Sequence, residues 1–117
     1  MLNAWIRKIK NKRFLNRNVK SFEEIYENYF SAKKYDREVC AEQWRKMGEI
    51  LKLNEQLLLP TDRFDKELAP VWGFGVDDEM EDLSEWIYDQ LDARNSMMQV
   101  SQLLTLGEVV DALNGSE

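Results

Sequence analysis

The sequence predicts an all-α protein, and the spacing of its apolar residues carries that prediction. Apolar side chains recur at spacings of three and four along the chain, whereas no stretch shows the sustained alternation of a half-buried β-strand. Of the 117 residues, 44 % are hydrophobic and 32 % charged, and only two are prolines and five glycines. We therefore expect one helix-rich domain with a single modest core.

The first expected helix lies in a basic N-terminal segment, residues 1–20, which precedes a single helical domain, residues 21–117. Residues 2–15 predict a short amphipathic helix with a basic outer face. Its apolar positions are Leu2, Trp5, Ile6 and Ile9.

Two further helices are expected before residue 54. Ser21 and Glu24 form the capping-box pattern of a helix start, and apolar residues follow at helical spacing. A third helix is expected from about Asp36 to Leu53. Its apolar positions are Val39, Cys40, Trp44, Met47 and Leu51. Because Cys40 falls on this apolar face, we interpret it as a buried structural thiol, with a reactive thiol as the alternative.

The C-terminal half predicts a long loop and two helices. Residues 54–75 contain two prolines and two glycines, which favour a structured loop. An amphipathic helix is expected over residues 77–92 and a short turn over 96–100. The last helix begins at the capping-box pattern of Thr105 and Glu108. The residues expected to share one core are Phe64, Leu68, Leu83, Ile87, Val109 and Leu113.

The net charge of −6 is distributed unevenly along the chain. Residues 1–20 contain seven lysines and arginines and no acid, whereas the rest contains nine bases and 22 acids. The two parts are electrostatically complementary, so we expect the basic segment to engage an acidic surface of its own chain, of a second copy in a homodimer, or of a partner. The acids are densest at Asp77, Asp78, Glu79, Glu81, Asp82, Glu85, Asp89 and Asp92.

Three segments, in order along the chain, resemble acyl carrier proteins. Residues 51–68 resemble the end of that family's first helix and the loop after it, with Phe64 and Leu68 at positions that fill its small core. Residues 76–91 resemble its acidic second helix, and residues 105–115 resemble its closing helix. The chain is more similar to a bacterial group of acyl-carrier-like proteins without assigned function. The resemblance implies a four-helix bundle with one or two additional N-terminal helices.

Asp77 stands where the carrier family has the serine that bears phosphopantetheine. Aspartate caps a helix start as serine does, and its charge suits the positive end of the helix dipole, but it offers no hydroxyl for attachment. We therefore expect no cofactor. Ser84 is the alternative attachment site, although we expect it inside the helix, where a modifying enzyme reaches it poorly. With phosphopantetheine on Ser84, the chain would be a functional acyl carrier of lipid or polyketide-type synthesis.

The resemblance implies binding rather than catalysis. Carrier proteins are recognised by their enzymes through the acidic second helix, so we expect this chain to dock a protein with a basic surface there. The expected contact residues are Asp78, Glu79, Glu81, Asp82 and Glu85, with Trp72 and Phe74 as aromatic anchors. The two aromatics can instead close the core where the loop meets the helix, which we favour. A small regulatory or immunity-type binding protein is a further alternative, because a fold does not fix a function.

Composition argues against several other functions. The chain has no histidine, and it shows no nucleophile–base pair, Gly-rich phosphate loop or metal constellation, so we expect no enzyme. The acidic balance outside residues 1–20 disfavours nucleic acid. A contact of residues 1–20 with an anionic membrane surface is expected to be weak. No apolar run reaches the length of a membrane span, and the start lacks the apolar block of a secretory signal, which predicts a cytoplasmic protein.

Overall fold

The computed structural model describes residues 12, 14, 17–66, 68, 78–96 and 98–115, with backbone only for residues 78–80. Within these ranges the chain forms four α-helices and no strand, which confirms the all-α prediction. The helices are α1 (Phe22–Ile25), α2 (Arg37–Leu51), α3 (Asp78–Ala93) and α4 (Leu106–Asn114). Most of the helix predicted for residues 2–15 lies outside the described residues. Within that stretch the structure describes only Lys12 and Phe14.

Helix α1 begins at the predicted capping box. The Glu24 backbone N–H donates to the Ser21 hydroxyl, and the Ser21 N–H donates to the Glu24 carboxylate, both over 3.3 Å. After Ile25 the chain continues as a π-helix, Tyr26–Phe30, and a 3₁₀ turn, Ser31–Lys33. The predicted helix is therefore present, but most of it is wound differently from an α-helix.

Helix α2 starts where Asp36 accepts hydrogen bonds from the backbone N–H groups of Glu38 and Val39. It ends at Lys52, which adopts the left-handed conformation with φ of 58°. Its buried residues are Cys40, Trp44, Met47, Gly48 and Leu51. The expectation for Val39 is wrong, since its side chain is 45 % exposed. It lies one residue before Cys40, and a turn of 100° moves it off the buried face.

The apolar stripe expected on the next helix is Met80, Leu83, Ile87 and Leu91, widened by Trp86 and Val76. Helix α3 buries Leu83, Ile87 and Leu91, and Trp86 is half-buried beside them. Val76 and the side chain of Met80 lie outside the described residues. The turn predicted at 96–100 occurs later, as a 3₁₀ turn at Val100–Gln102. Helix α4 begins at Thr105, whose hydroxyl accepts from the Glu108 N–H over 3.1 Å. The second half of the predicted box differs, because the Glu108 carboxylate accepts from Leu104 N–H instead, over 2.7 Å.

The predicted core residues come together. Leu68, Leu83, Ile87, Val109 and Leu113 are buried in one cluster, and Phe64 is half-buried against it. Helices α2, α3 and α4 pack against one another around this cluster. None of the described helices is both long and apolar enough to cross a bilayer.

The loop after α2 is fixed to the start of α4. The N–H groups of the first helical turn have no carbonyl partner within the helix, and two of them donate to the loop instead. The Leu106 N–H donates to the Asp62 carbonyl, and the Gly107 N–H donates to the Pro60 carbonyl. A Cβ on Gly107 would lie 3.0 Å from the Pro60 carbonyl oxygen, so this close approach favours glycine. The loop therefore closes one side of the core beside α3.

Candidate functional site

The outer face of α3 is strongly acidic. Between residues 81 and 93 the helix carries five carboxylates and no lysine or arginine. All five side chains are exposed, on the side of the helix opposite to the buried stripe of Leu83, Ile87 and Leu91. We call this surface the acidic face; its residues are Glu81, Asp82, Glu85, Asp89 and Asp92.

The carboxylates of the acidic face have no basic neighbour among the described residues. No described lysine or arginine lies within 4.0 Å of any of them. Helix α2 is different, because Arg45 pairs with both Glu42 and Glu49. Acids three and four residues apart on a helix repel one another, so an unpaired row of them destabilises the helix.

Tyr88 stands within the acidic face and was missed by the sequence analysis. Its side chain is 62 % exposed, although a tyrosine has a large apolar ring. It follows Ser84 by four residues and Glu81 by seven, so the three side chains lie along one line of the helix surface. Helical spacing alone could have placed it there, because it falls outside the apolar stripe of the helix. An exposed tyrosine among acids supplies an anchor of the kind that protein interfaces use.

The structure places the predicted site residues unequally. Glu81, Asp82 and Glu85 lie together and exposed on the acidic face. The backbone of Asp78 and Glu79 forms the first turn of α3. The remaining predicted site residues lie outside the described residues: Trp72, Phe74 and Asp77, and the side chains of Asp78 and Glu79.

Ser84 is exposed beside the buried stripe of α3. It lies in the second turn, inside the helix as expected. It precedes Ile87 by three residues, so its side chain lies at the edge of the buried stripe. It lines the rim of a cavity of about 300 Å³ between α3 and the 3₁₀ turn Val100–Gln102. The apolar side chains of this cavity are Phe64, Leu83, Ile87, Val100 and Leu103.

A polar cluster joins the segment before α2 to α4. Asp111 accepts from the Lys33 ammonium over 2.8 and 2.9 Å and from the Tyr35 hydroxyl over 2.9 Å. Burial, together with the hydrogen bond to Asp111, raises the pKa of Tyr35 to about 12. A phenol with this pKa stays neutral at ordinary pH and acts as a donor. The cluster therefore ties two elements together and provides no activated base.

Cys40 is fully buried in the core, as expected of a structural thiol. Burial first, and then the charges of Asp36 and Asp111, raise its pKa to about 11. A thiol with this pKa carries almost no thiolate near neutral pH. In the described part of the chain, no group of three Cys, Asp or Glu residues is arranged to hold a metal ion.

Comparisons with protein-family models, with curated proteins and with solved structures found no match to this chain.

Proposed function

We propose that the protein is a non-enzymatic interaction protein with an acyl-carrier-like helical scaffold, which docks a basic surface of a partner protein on the acidic face of α3. The observation that carries this proposal is the row of exposed carboxylates without a basic neighbour in the described residues. Such a row opposes folding, and a basic partner would remove that cost.

We expect the contact with the partner to consist of one aromatic side chain and the charged side chains around it. Tyr88 would pack against an apolar patch of the partner, and the neighbouring carboxylates would meet its lysines and arginines. Exposed charges of this kind increase the association rate and orient the two proteins more than they increase the affinity. Salt screens their attraction. Binding should therefore weaken steeply as the ionic strength rises.

The test compares capture of basic proteins from a bacterial lysate by three immobilised proteins. These are the parent, the acidic-face variant Glu81→Gln/Glu85→Gln/Asp89→Asn, and a control, Glu27→Gln/Glu38→Gln/Glu49→Gln, with the same change in charge on other elements. The proposal expects a protein held at low salt by the parent and the control but not by the acidic-face variant. Equal capture by all three would contradict it, and titration of the purified captured protein would give the affinity.

A second candidate is a functional acyl carrier with phosphopantetheine on Ser84. The specific observation in its favour is that Ser84 is exposed at the rim of an apolar cavity of about 300 Å³. Against it, Ser84 lies in the second turn rather than at the start of α3. The two candidates differ in mass after co-expression with a broad-specificity phosphopantetheinyl transferase. A mass gain that Ser84→Ala abolishes would establish the carrier; an unchanged mass supports the interaction protein without cofactor.

A further inference from the structure

The cavity beside Ser84 opens next to the acidic face. Its walls are mostly apolar, and its polar side chains include Asp65 and Ser84. Ser84 lies one helical turn from Glu81 and next to Glu85 in the sequence. Asp65 is paired with Arg63 over 2.8 Å, whereas Glu81 and Glu85, beside Ser84, have no basic neighbour among the described residues. An apolar recess next to such exposed carboxylates fits a segment that combines apolar side chains with lysines and arginines. At about 300 Å³ it has room for only one or two large side chains.

The chain itself contains a segment with this chemistry. Residues 2–11 lie outside the described residues, and their sequence places three basic side chains, Arg7, Lys8 and Lys10, among apolar ones. No acid occurs among them. The apolar positions, spaced for one face of a helix, are Leu2, Trp5, Ile6 and Ile9.

The described part of the basic segment is attached close to this cavity. Phe14 is buried in the core, and the Arg17 guanidinium pairs with Asp62 over 2.7 Å. Asp62 is two residues before Phe64, which lines the cavity, so their Cα atoms are at most about 7 Å apart. The eight residues from Arg17 back to Ile9 span about 12 Å as a helix and about 26 Å when extended. Residues 2–11 of the same chain can therefore reach the cavity.

We infer that residues 2–11 dock on their own chain, with an apolar side chain in the cavity beside Ser84 and the basic side chains on the acidic face. Attachment at Arg17 gives the segment a high effective concentration, which favours the same chain over a second copy. The inference deepens the proposed function and rests on it: the segment covers the partner-binding surface, and a basic partner has to displace it.

Zero-length carbodiimide crosslinking of the full chain tests the inference directly, because this reagent joins a lysine to a carboxylate in contact with it. An equal mixture of unlabelled and ¹⁵N-labelled protein separates bonds within one chain from bonds between copies. We expect Lys8 and Lys10 to crosslink within the chain to Glu81 or Glu85. The products should largely disappear between about 0.1 and 1 M salt, over which the Debye length falls from about 10 to 3 Å.

Two variants separate the cavity from simple attraction between charges. Trp5→Ala/Ile9→Ala keeps every charge and should reduce the crosslinks several-fold, because it removes the apolar anchors. Ser84→Arg adds a cation at the rim and should do the same, whereas Ala32→Arg, at an exposed position on another element, should not. Circular dichroism of each variant shows that the fold is retained.

Three crosslinking results would overturn the inference. Mixed-label crosslinks would show that a second copy occupies the surface and would overturn the inference. Absence of crosslinks to α3 would overturn it as well, as would crosslinks that persist unchanged in Trp5→Ala/Ile9→Ala. Failure of the proposed function is seen elsewhere, as capture of the same proteins by the parent and the acidic-face variant.

Discussion

Arg17 and Asp62 form a bidentate ion pair across 45 positions of the chain, with contacts of 2.8 and 2.7 Å. The Asp62 carboxylate is only 2 % exposed and accepts a third hydrogen bond from the Leu59 N–H. The guanidinium also donates to the Leu57 carbonyl and lies 4.7 Å from the centre of the Phe14 ring. The end of the basic segment is thereby built into the same loop that fixes the start of α4.

Loss of either partner should destabilise the fold. Arg17→Met or Asp62→Asn leaves a buried polar group poorly paired and should cost about 3 kcal/mol, the lower end of the range for buried pairs, because Arg17 is partly exposed. The surface pair of Arg37 and Glu23 is the control, and Arg37→Met should cost at most about 1 kcal/mol. Urea unfolding measures all three, and similar small values for all would contradict the structural role of the pair.

The buried stripe of α3 should dominate the stability of the domain. Leu83→Ala and Ile87→Ala each remove a fully buried side chain and should cost about 2–5 kcal/mol. Tyr88→Ala on the exposed face should change the free energy of unfolding by no more than about 0.5 kcal/mol. A loss at Tyr88 as large as that at Leu83 would mean that α3 presents a different face to the core.

Local signals predicted the helices, and distant contacts explain what they missed. Asp36, Ser21 and Thr105 marked helix starts because an N-cap is a short-range hydrogen bond. The π-helix at Tyr26–Phe30 was not predictable, because five residues cannot distinguish its period from that of an α-helix. The pair of Arg17 and Asp62 was missed for another reason, since nothing near either residue indicates the other.

The residues of the acidic face were predictable from the sequence, but their surroundings in the fold were not. Helical spacing placed Glu81, Asp82 and Glu85 on the exposed side, as the structure has them. Their lack of basic neighbours in the described residues depends on which surfaces the other helices present, which periodicity does not encode. The cavity beside Ser84 likewise arises where the 3₁₀ turn Val100–Gln102 packs on α3, a contact between elements that no local pattern specifies.

Relief of repulsion on the acidic face should stabilise the protein. Glu85 has an acid three or four residues away in both directions: Glu81, Asp82 and Asp89. In the Trp5→Ala/Ile9→Ala background, where docking of the basic residues 2–11 beside Glu85 is weakened, Glu85→Gln removes these three repulsions, each worth about 0.2–0.5 kcal/mol. It should raise the free energy of unfolding there by roughly 0.6–1.5 kcal/mol at low salt. Glu42→Gln should have no such benefit because Glu42 pairs with Arg45. A gain at Glu85 that did not shrink in about 1 M salt would not be electrostatic.

Asp77 is expected to cap α3, since it immediately precedes Asp78, the first residue of that helix. Asp77→Ala should lower the free energy of unfolding by about 0.5–2 kcal/mol, whereas Asp77→Ser should be nearly neutral because serine caps about as well. If urea unfolding of Asp77→Ala matched the parent, another residue would cap the helix. The alignment of Asp77 with the carrier-family serine would then be shifted.

Stability should decline at high pH because the folded protein holds two protons tightly. The pKa of Cys40 is raised from 9.0 to about 11 and that of Tyr35 from 10.0 to about 12. Below pH 9 both groups are protonated in the folded and unfolded chains, so this stabilisation is fully present. Above pH 9 the unfolded chain releases these protons first, and the free energy of unfolding falls as the pH rises toward 12. Urea unfolding should show that the free energy of unfolding of Cys40→Ala declines less than that of the parent between about pH 9 and 11. For Tyr35→Phe the smaller decline should fall between about pH 10 and 12. Slopes identical to the parent's would show that neither group governs alkaline stability.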